Sequence, residues 1–378
     1  MARYCRLPTS ATPREYERQA EALVAGWQAG DEDAVQLISG HHPHFFEREI
    51  PWLRRNMTSD EIRSFAIDHA EARLAVARWY VFRGWPELME WAAEASNPAS
   101  MVARFESAVD AVINGESATL RRLLTENPEL VHVRSTRITP HDPPVHACTL
   151  LHYIAANGVE GYRQRTPPNA VEVAKILLAA GADVNSFAHC YGELYDTMNL
   201  LVSSCHPALA GLQIALAETL LDYGADGTRA LQTALAFGYP DTARALLRHG
   251  APITDLATAA GLGQRDEVLR RLPSASATER HGATSLAAQH GNTEILELLL
   301  DSGEDPNRYN LKGHHAHSTP LHQAVCAGHL DTVRLLIARG ANPMLRDTIH
   351  GGTALDWAQH CNQPEIAEWL RAHALPAG

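Results

Sequence analysis

The stretch at residues 318–343, "STPLHQAVCAGHLDTVRLLIARGANP", decides how this chain folds. Its pattern predicts a short helix that ends near Gly328 and a second helix over 331–339 with one apolar face. Gly340 then supplies the left-handed conformation in which helices commonly end. One such helix pair cannot bury its own apolar face, so the stretch predicts further pairs stacked beside it.

The same pattern recurs along the chain, and the shared phrase identifies it. Copies begin near Phe105, Thr149, Met198, Arg229, Thr254, Leu286, Thr319 and Thr353. The phrase T-P-L-H-x-A-A-x-x-G, followed by V-x-L-L-L-x-x-G-A-D-x-N, resembles the ankyrin repeat. This resemblance implies an all-α ankyrin-repeat solenoid of about eight helix pairs with hairpin-like fingers between them. It also implies that His152 and His322 hold the turn that opens a first helix and are not catalytic.

The chain divides into two predicted parts, an N-terminal helical cap (the leader) at 1–100 and the solenoid at 103–378. In the leader, Thr58 and Glu61 form a capping box that is expected to open a helix running to Val81. The leader tryptophans are expected to cover the apolar end of the first repeat, and a separate binding role is the alternative. The leader and the phrase HYIAANGVEGYRQ resemble a group of bacterial ankyrin-repeat proteins.

The net charge limits the classes of partner that the protein is expected to bind, and the cysteine pattern indicates its compartment. The net charge is −12, which argues against nucleic acid or an anionic membrane as the main partner. No apolar run is long enough for a signal peptide or a membrane span. The six cysteines include no C-x-x-C pair, so we expect reduced thiols and a cytoplasmic location.

Two insertions break the repeat and supply the predicted binding site. Gly158 and Gly181 are 23 positions apart where other copies have twelve, which leaves eleven extra residues at 159–169. A smaller insertion follows in the next copy, and stacking should place the two side by side. We predict a cationic notch there for a carboxylate or phosphate, with arginine pairing to Glu160, Glu172 or Glu193 as the alternative. The predicted ligand-binding or partner-binding residues are Tyr162, Arg163, Arg165, Asn169, Tyr191, Glu193 and His206.

Histidines are unusually frequent, and many fall in the predicted fingers. There are 21 of them, among them His141, His146, His189, His281, His314, His315, His317 and His350. The candidate metal ligands are His146, His189, Cys190 and His206, because adjacent fingers could bring them together. No zinc-binding spacing is present, so we expect a solvated histidine-rich surface, no metal and no cofactor.

The sequence favours a non-catalytic cytoplasmic scaffold that grips a protein or peptide with its concave finger and helix face and the 159–169 insertion. An anionic group or small metabolite is a possible ligand of the notch, while nucleic acid and membrane are not expected partners. The chain has no G-x-S-x-G elbow, P-loop or G-x-G-x-x-G motif. The alternative is an enzyme or metal-dependent small-molecule binder that uses the two insertions and the histidines and cysteines near them.

Overall fold

The computed structural model describes residues 4–50 and 52–373. The chain forms two compact units, residues 1–224 and residues 225–378, and each is described by itself. The predicted boundary near residue 100 lies inside the first unit. Within the described residues, every helix is too short or too polar to cross a bilayer.

The first unit begins with helices that share a core of their own. They are α1 (Pro13–Gln28), α2 (Glu32–His41), α3 (Ser59–Ser64), α4 (His69–Trp79) and α5 (Trp85–Ala95). The core contains the buried side chains of Tyr16, Trp79, Phe82, Leu88 and Trp91. Thr58 and Glu61 form the expected capping box, but the single helix predicted from them is wrong. The carboxylate of Asp68 accepts the backbone N–H of Glu71 at 2.9 Å and starts a new helix there.

The repeat-like part of the first unit is less regular than the sequence pattern. Its α-helices are α6 (Met101–Asn114), α7 (Ser117–Glu126), α8 (Ala170–Ala179), α9 (Thr197–Val202), α10 (Cys205–Leu209) and α11 (Gln213–Asp222). Short 3-10 helices lie here at Pro128–His132, Leu150–Ala155 and Gly161–Arg163, and another lies earlier, between α2 and α3, at Pro43–Phe45. The helix opened by Thr149 is therefore a 3-10 helix, and it ends where Ala156 adopts a left-handed conformation.

One hairpin departs from the all-α expectation in a chain that is otherwise mostly helical. Strands β1 (Phe187–Cys190) and β2 (Glu193–Asp196) pair antiparallel, with Cys190 opposite Glu193. Tyr191 and Gly192 form the two-residue turn, and their φ angles are 55° and 81°. Positive φ at both turn positions matches the right-handed twist of the paired strands, which lets this finger close as a true hairpin.

In its described part, residues 225–373, the second unit consists of stacked helix pairs. They are α12 (Ala230–Ala236) with α13 (Pro240–Arg248), α14 (Leu256–Gly261) with α15 (Arg265–Arg271), α16 (Ala277–Gln289) with α17 (Thr293–Asp301), α18 (Pro320–Cys326) with α19 (Leu330–Ala338), and α20 (Ala354–His360) with α21 (Pro364–His373). A 3-10 helix at Leu272–Ser274 follows α15. Each first helix packs on the first helix of the next pair. Leu296, Leu321, Val333, Leu336 and Leu370 belong to the shared core.

Candidate functional site

Arg163, the centre of the predicted anion notch, lies buried and already paired. Its guanidinium contacts a carboxylate oxygen of Glu106 at 2.5 Å and one of Glu160 at 3.2 Å. Only 3% of the residue is exposed. Its N–H groups are not aligned for hydrogen bonds, so the pairing is electrostatic. A guanidinium that is buried and paired in this way cannot donate two parallel hydrogen bonds to a ligand in solvent.

Arg137 completes a buried cluster of two arginines and two glutamates, which we call the charge cluster (Glu106, Arg137, Glu160, Arg163). Arg137 donates two hydrogen bonds to Glu106, at 3.2 and 3.3 Å, and its guanidinium lies 4.2 Å from the ring centroid of Trp91. Burial alone would raise the pKa of Glu160, but the two arginines lower it well below its ordinary value. The cluster is therefore a balanced set of opposite charges, which tolerates burial because each is paired.

The charge cluster ties the insertion to the leader and to α6. Glu106 lies on α6 and accepts the indole N–H of Trp91, from α5, at 3.1 Å. Next to Arg163, the ring of Tyr162 packs edge-on against Tyr80 at 6.3 Å between centroids. The predicted exposed notch built from Tyr162 and both arginines is therefore not formed. Arg163 instead forms internal ion pairs, which was the alternative. One of its partners, Glu106, was not indicated by the sequence.

The remaining predicted site residues serve local contacts. Arg165 is exposed and donates to the side chain of Asn114 at 3.2 Å. Asn169 donates to the carbonyl of Gly115 at 2.9 Å. The Tyr191 hydroxyl donates to the carbonyl of Gly158 at 2.8 Å, so the hairpin turn closes over the start of the insertion.

Glu193 and His206 lie on elements that follow the insertion in the chain. Glu193 begins β2 and is exposed at the hairpin. His206 lies on α10, and among residues 4–50 and 52–373 no side-chain hydrogen bond or ion pair links it to the insertion. That the two insertions form one notch around His206 stays a prediction.

The candidate metal ligands do not assemble into a centre. The imidazole Nε2 of His146 contacts the carboxylate of Glu160 at 2.9 Å, and its Nδ1 accepts the N–H of Cys148 at 3.1 Å. The backbone N–H of His189 donates to the carbonyl of His146 at 2.8 Å, and the thiols of Cys148 and Cys190 are hydrogen-bonded to each other. In the part of the chain that the structure describes, no group of three or more possible ligands is arranged to hold a metal ion.

Several histidines expected at a solvated surface are buried. His146, His281 and His314 are 1%, 0% and 7% exposed. The ring of His281 contacts the carbonyl of Tyr309 at 2.8 Å, because this residue lies within α16 and not in a finger. The expectation of a solvated histidine-rich surface is therefore wrong for these three positions.

The two motif histidines hold turns, as the resemblance implied. The Nδ1 atom of His152 accepts the backbone N–H of Thr149 at 3.1 Å, and that of His322 accepts the N–H of Thr319 at 3.3 Å. Both rings are buried, 1% exposed. This prediction is confirmed: each imidazole acts as the acceptor half of a capping box.

Protonation of His152 is expected to destabilise the first unit. Burial lowers the pKa of His152 to about 4, below its ordinary 6.5. As pH falls, the unfolded chain takes up the proton first, so stability is lost between about pH 6.5 and about pH 4. Urea unfolding at pH 7 and pH 4.5 should show a smaller pH-dependent loss in His152→Gln than in the wild type. The exposed His132→Gln is the control, and an equal loss in all three proteins would contradict the prediction.

The second unit has a groove of about 770 Å³, which we call the histidine groove. Its walls come from the fingers before α18 and α20, and its floor comes from those two helices. It is lined by His315, His317, Gln323, Cys326, Asp347, His350, Gly351, Gly352, Asp356, Trp357, His360 and Cys361. The volume falls in the range of ligand-binding clefts. The cavity beside Arg163 is only about 20 Å³, which is room for a water molecule.

Asp347 fixes the finger that forms one wall of the histidine groove. Its carboxylate accepts the backbone N–H of His350 at 2.6 Å and the indole N–H of Trp357 at 3.0 Å. Burial alone would raise the pKa of Asp347, but these hydrogen bonds outweigh burial and lower it to about 2. The ring of Trp357 lies 5.8 Å from that of His317, centroid to centroid. The groove thus has a fixed aromatic floor and imidazoles at its rim.

A disulfide between Cys326 and Cys361 also lines the histidine groove. The expectation that all six cysteines are reduced is wrong for this pair. The two residues occupy near-equivalent places in consecutive helix pairs, 35 positions apart, so stacking brings their Cα atoms to 5.3 Å. Cys5, Cys148, Cys190 and Cys205 are thiols.

Comparison with known proteins identifies the helix pairs around this groove. Residues 284–376 match the family model described as ankyrin repeats, with three copies. These residues are ankyrin repeats. The match agrees with the stacked pairs α16 to α21 and with the capping-box histidine of α18.

Several known proteins are similar to parts of the chain. It is 47% identical over 76 residues to the E3 ubiquitin-protein ligase hecd-1 of Caenorhabditis elegans, covering 20% of this chain and 3% of that protein. It is 37% identical over 84 residues to the ankyrin repeat and SAM domain-containing protein 6 of Mus musculus, covering 22% and 9%. It is 31% identical over 171 residues to a putative ankyrin repeat-containing protein of Treponema pallidum (strain Nichols), covering 45% of each. The chain thus spans less than half the length of each of these relatives.

The sequence held a signal for the histidine groove that lies outside the two insertions. His315 and His350 are 35 residues apart, as are Cys326 and Cys361. Residues one repeat period apart stack in neighbouring ankyrin repeats, so the two pairs form columns on one face. Aligning the ankyrin repeats by column would have placed these side chains together.

Proposed function

We propose that the protein is a non-catalytic scaffold that binds a protein or peptide through the finger and helix face of its ankyrin repeats. The histidine groove is the observation that carries this proposal. It combines the apolar surface of Trp357 with exposed polar side chains such as His350 and His360. Interfaces with an aromatic centre and a polar rim are typical of protein recognition.

The insertion at 159–169 takes a supporting part in this proposal. Arg163 is committed to the charge cluster, whereas Arg165 and the hairpin turn at Tyr191 are exposed. We propose that these exposed parts extend the contact surface of the first unit and do not enclose a ligand. The described residues supply no observation in favour of the enzyme alternative. The proposal includes a cytoplasmic location. It also includes a partner that is neither nucleic acid nor membrane, which the net charge of −12 supports.

The test is partner capture with variants of each surface. The double variant His350→Glu/His360→Glu places two negative charges on exposed groove positions without touching the core. In pull-downs from the native host, a partner recovered with the wild type should be reduced about tenfold or more, as expected when interface charges are mismatched. Quantitative mass spectrometry of the captured proteins is the measurement.

Arg165→Gln is the matched variant at the insertion, since it also changes an exposed side chain. Because Arg165 belongs to the extended contact surface and not to the groove, Arg165→Gln should reduce capture of the partner far less than the groove variant does. Loss of the partner with Arg165→Gln and retention with the groove variant would move the binding surface to the insertion and reject the histidine groove.

A further inference from the structure

The Cys326–Cys361 disulfide joins the two halves of the histidine groove. Cys326 is the last residue of α18, and Cys361 directly follows α20. One wall and part of the floor of the groove come from the α18 side, and the rest comes from the α20 side. The shape of the groove therefore depends on how these two helices are held together.

Other contacts also link the two sides of the groove: the ring of His322 contacts the carbonyl of Gly352 at 3.3 Å and lies 5.1 Å from the ring of Trp357, centroid to centroid. The side chain of Gln363 donates to the carbonyl of Cys326 at 3.1 Å. The fully buried side chains of α20 are those of Ala354 and Ala358, and Leu355 and Trp357 are partly buried against the shared core. The disulfide is a covalent link beside these contacts, and it adds to them in holding α20 against α18.

The disulfide is open to reagents in solution. Cys326 and Cys361 are each partly exposed, and both line the groove. Of the four thiols, Cys148 and Cys190 are buried, and Cys5 and Cys205 are exposed. A disulfide of two half-buried cysteines on a binding groove can be reached by a small dithiol, whereas a disulfide inside the core cannot.

We propose that Cys326–Cys361 is a thiol–disulfide exchange site that controls the histidine groove, an inference that rests on the proposed function for its biological meaning. A dithiol reductant attacks one sulfur as a thiolate and forms a mixed disulfide. Its second thiolate then breaks that bond. The protein gains two electrons and two protons as two thiols, and the reductant leaves as its own disulfide. Reduction frees α20 from α18 and loosens the groove.

The compartment sets which state is present. Glutathione and thioredoxin-type dithiols keep most cytoplasmic thiols reduced, so an accessible disulfide there is transient and responds to oxidants. The oxidised groove would then form only under oxidising conditions, and it would be the form that binds the partner.

Hydrogen exchange of the full chain tests the inference without any ligand. The protein is oxidised with glutathione disulfide, and one half is then treated with dithiothreitol. Reduction should speed exchange of peptides within 345–373 by about tenfold or more, since a lost crosslink lowers local stability. Peptides of the first unit should not change. Equal exchange in both halves would overturn the proposal, as would peptide mapping that finds both cysteines alkylated after oxidation.

Two variants separate this site from other effects of the reductant. Cys326→Ser/Cys361→Ser should exchange rapidly in both conditions, because it lacks the crosslink. Cys205→Ser changes an exposed thiol elsewhere and should behave as the wild type. If Cys326→Ser/Cys361→Ser still responds to dithiothreitol, the effect lies elsewhere and the proposal fails.

The same samples distinguish failure of this inference from failure of the proposed function. A partner captured equally by the oxidised and reduced protein would reject redox control and leave the scaffold function standing. A redox-dependent change in exchange with no effect of His350→Glu/His360→Glu on capture would retain the exchange site and reject the groove as the partner surface.

Discussion

Arg163→Gln is expected to lower the free energy of unfolding of the first unit by about 3–5 kcal/mol, the range for breaking a buried ion pair. The substitution leaves Glu106 and Glu160 facing a single arginine in a site where both carboxylates are at most 5% exposed. An uncompensated buried carboxylate must stay desolvated or take up a proton, and either one costs stability. Urea unfolding followed by tryptophan fluorescence is the measurement, because Trp27, Trp52, Trp79, Trp85 and Trp91 all lie in this unit.

Arg165→Gln is the matched control two positions along the same segment. Its guanidinium is exposed and makes one hydrogen bond to a neutral side chain, so the variant should unfold within about 0.5 kcal/mol of the wild type. A stable Arg163→Gln protein that has lost its partner would restore the anion-binding role that the sequence indicated for Arg163.

The contrast between these arginines shows which part of the site the sequence could predict. Counting positions between glycines predicted the insertion, and Glu160 was available as a nearby partner of Arg163. Glu106 could not be recognised as a partner of Arg163, because it lies 57 positions earlier, on α6. No local spacing in the sequence indicates a contact between that helix and the insertion. Burial of Arg163 follows from that distant pairing, so the sequence could not distinguish a buried arginine from an exposed one.

Features of the fold that depend on nearby residues could likewise be predicted from the sequence, and features that depend on distant residues could not. The capping boxes of Thr149 and Thr319 depend on residues three positions apart, and both form as expected. The long leader helix fails because Asp68 offers its own cap, a local competitor that the apolar pattern concealed. The hairpin had a signal in Tyr191-Gly192, but the helical repeat pattern took precedence over it. The disulfide required alignment of one repeat on the next.

Leu336→Ala is expected to cost about 2–5 kcal/mol, the range for removing a buried leucine and leaving a cavity. Leu336 is 0% exposed in the core shared by the helix pairs of the second unit. Its helix α19 packs against α17 on one side and α21 on the other. Because each pair contacts only its neighbours, the loss should concentrate in residues 293–373. Hydrogen exchange by peptide is the measurement, and amides there should exchange faster while those of the first unit do not change.

Leu335→Ala removes the same atoms from the adjacent position and serves as the control. Leu335 is only partly buried, so part of its side chain already contacts water and a smaller cavity is left. The expected order of stability is therefore wild type, then Leu335→Ala, then Leu336→Ala. Uniform loosening of the whole chain in Leu336→Ala would mean that the helix pairs unfold as one cooperative body, against the nearest-neighbour account. Equal losses from the two leucines would show that the core of α19 is not arranged as described, since exposure alone distinguishes the two positions.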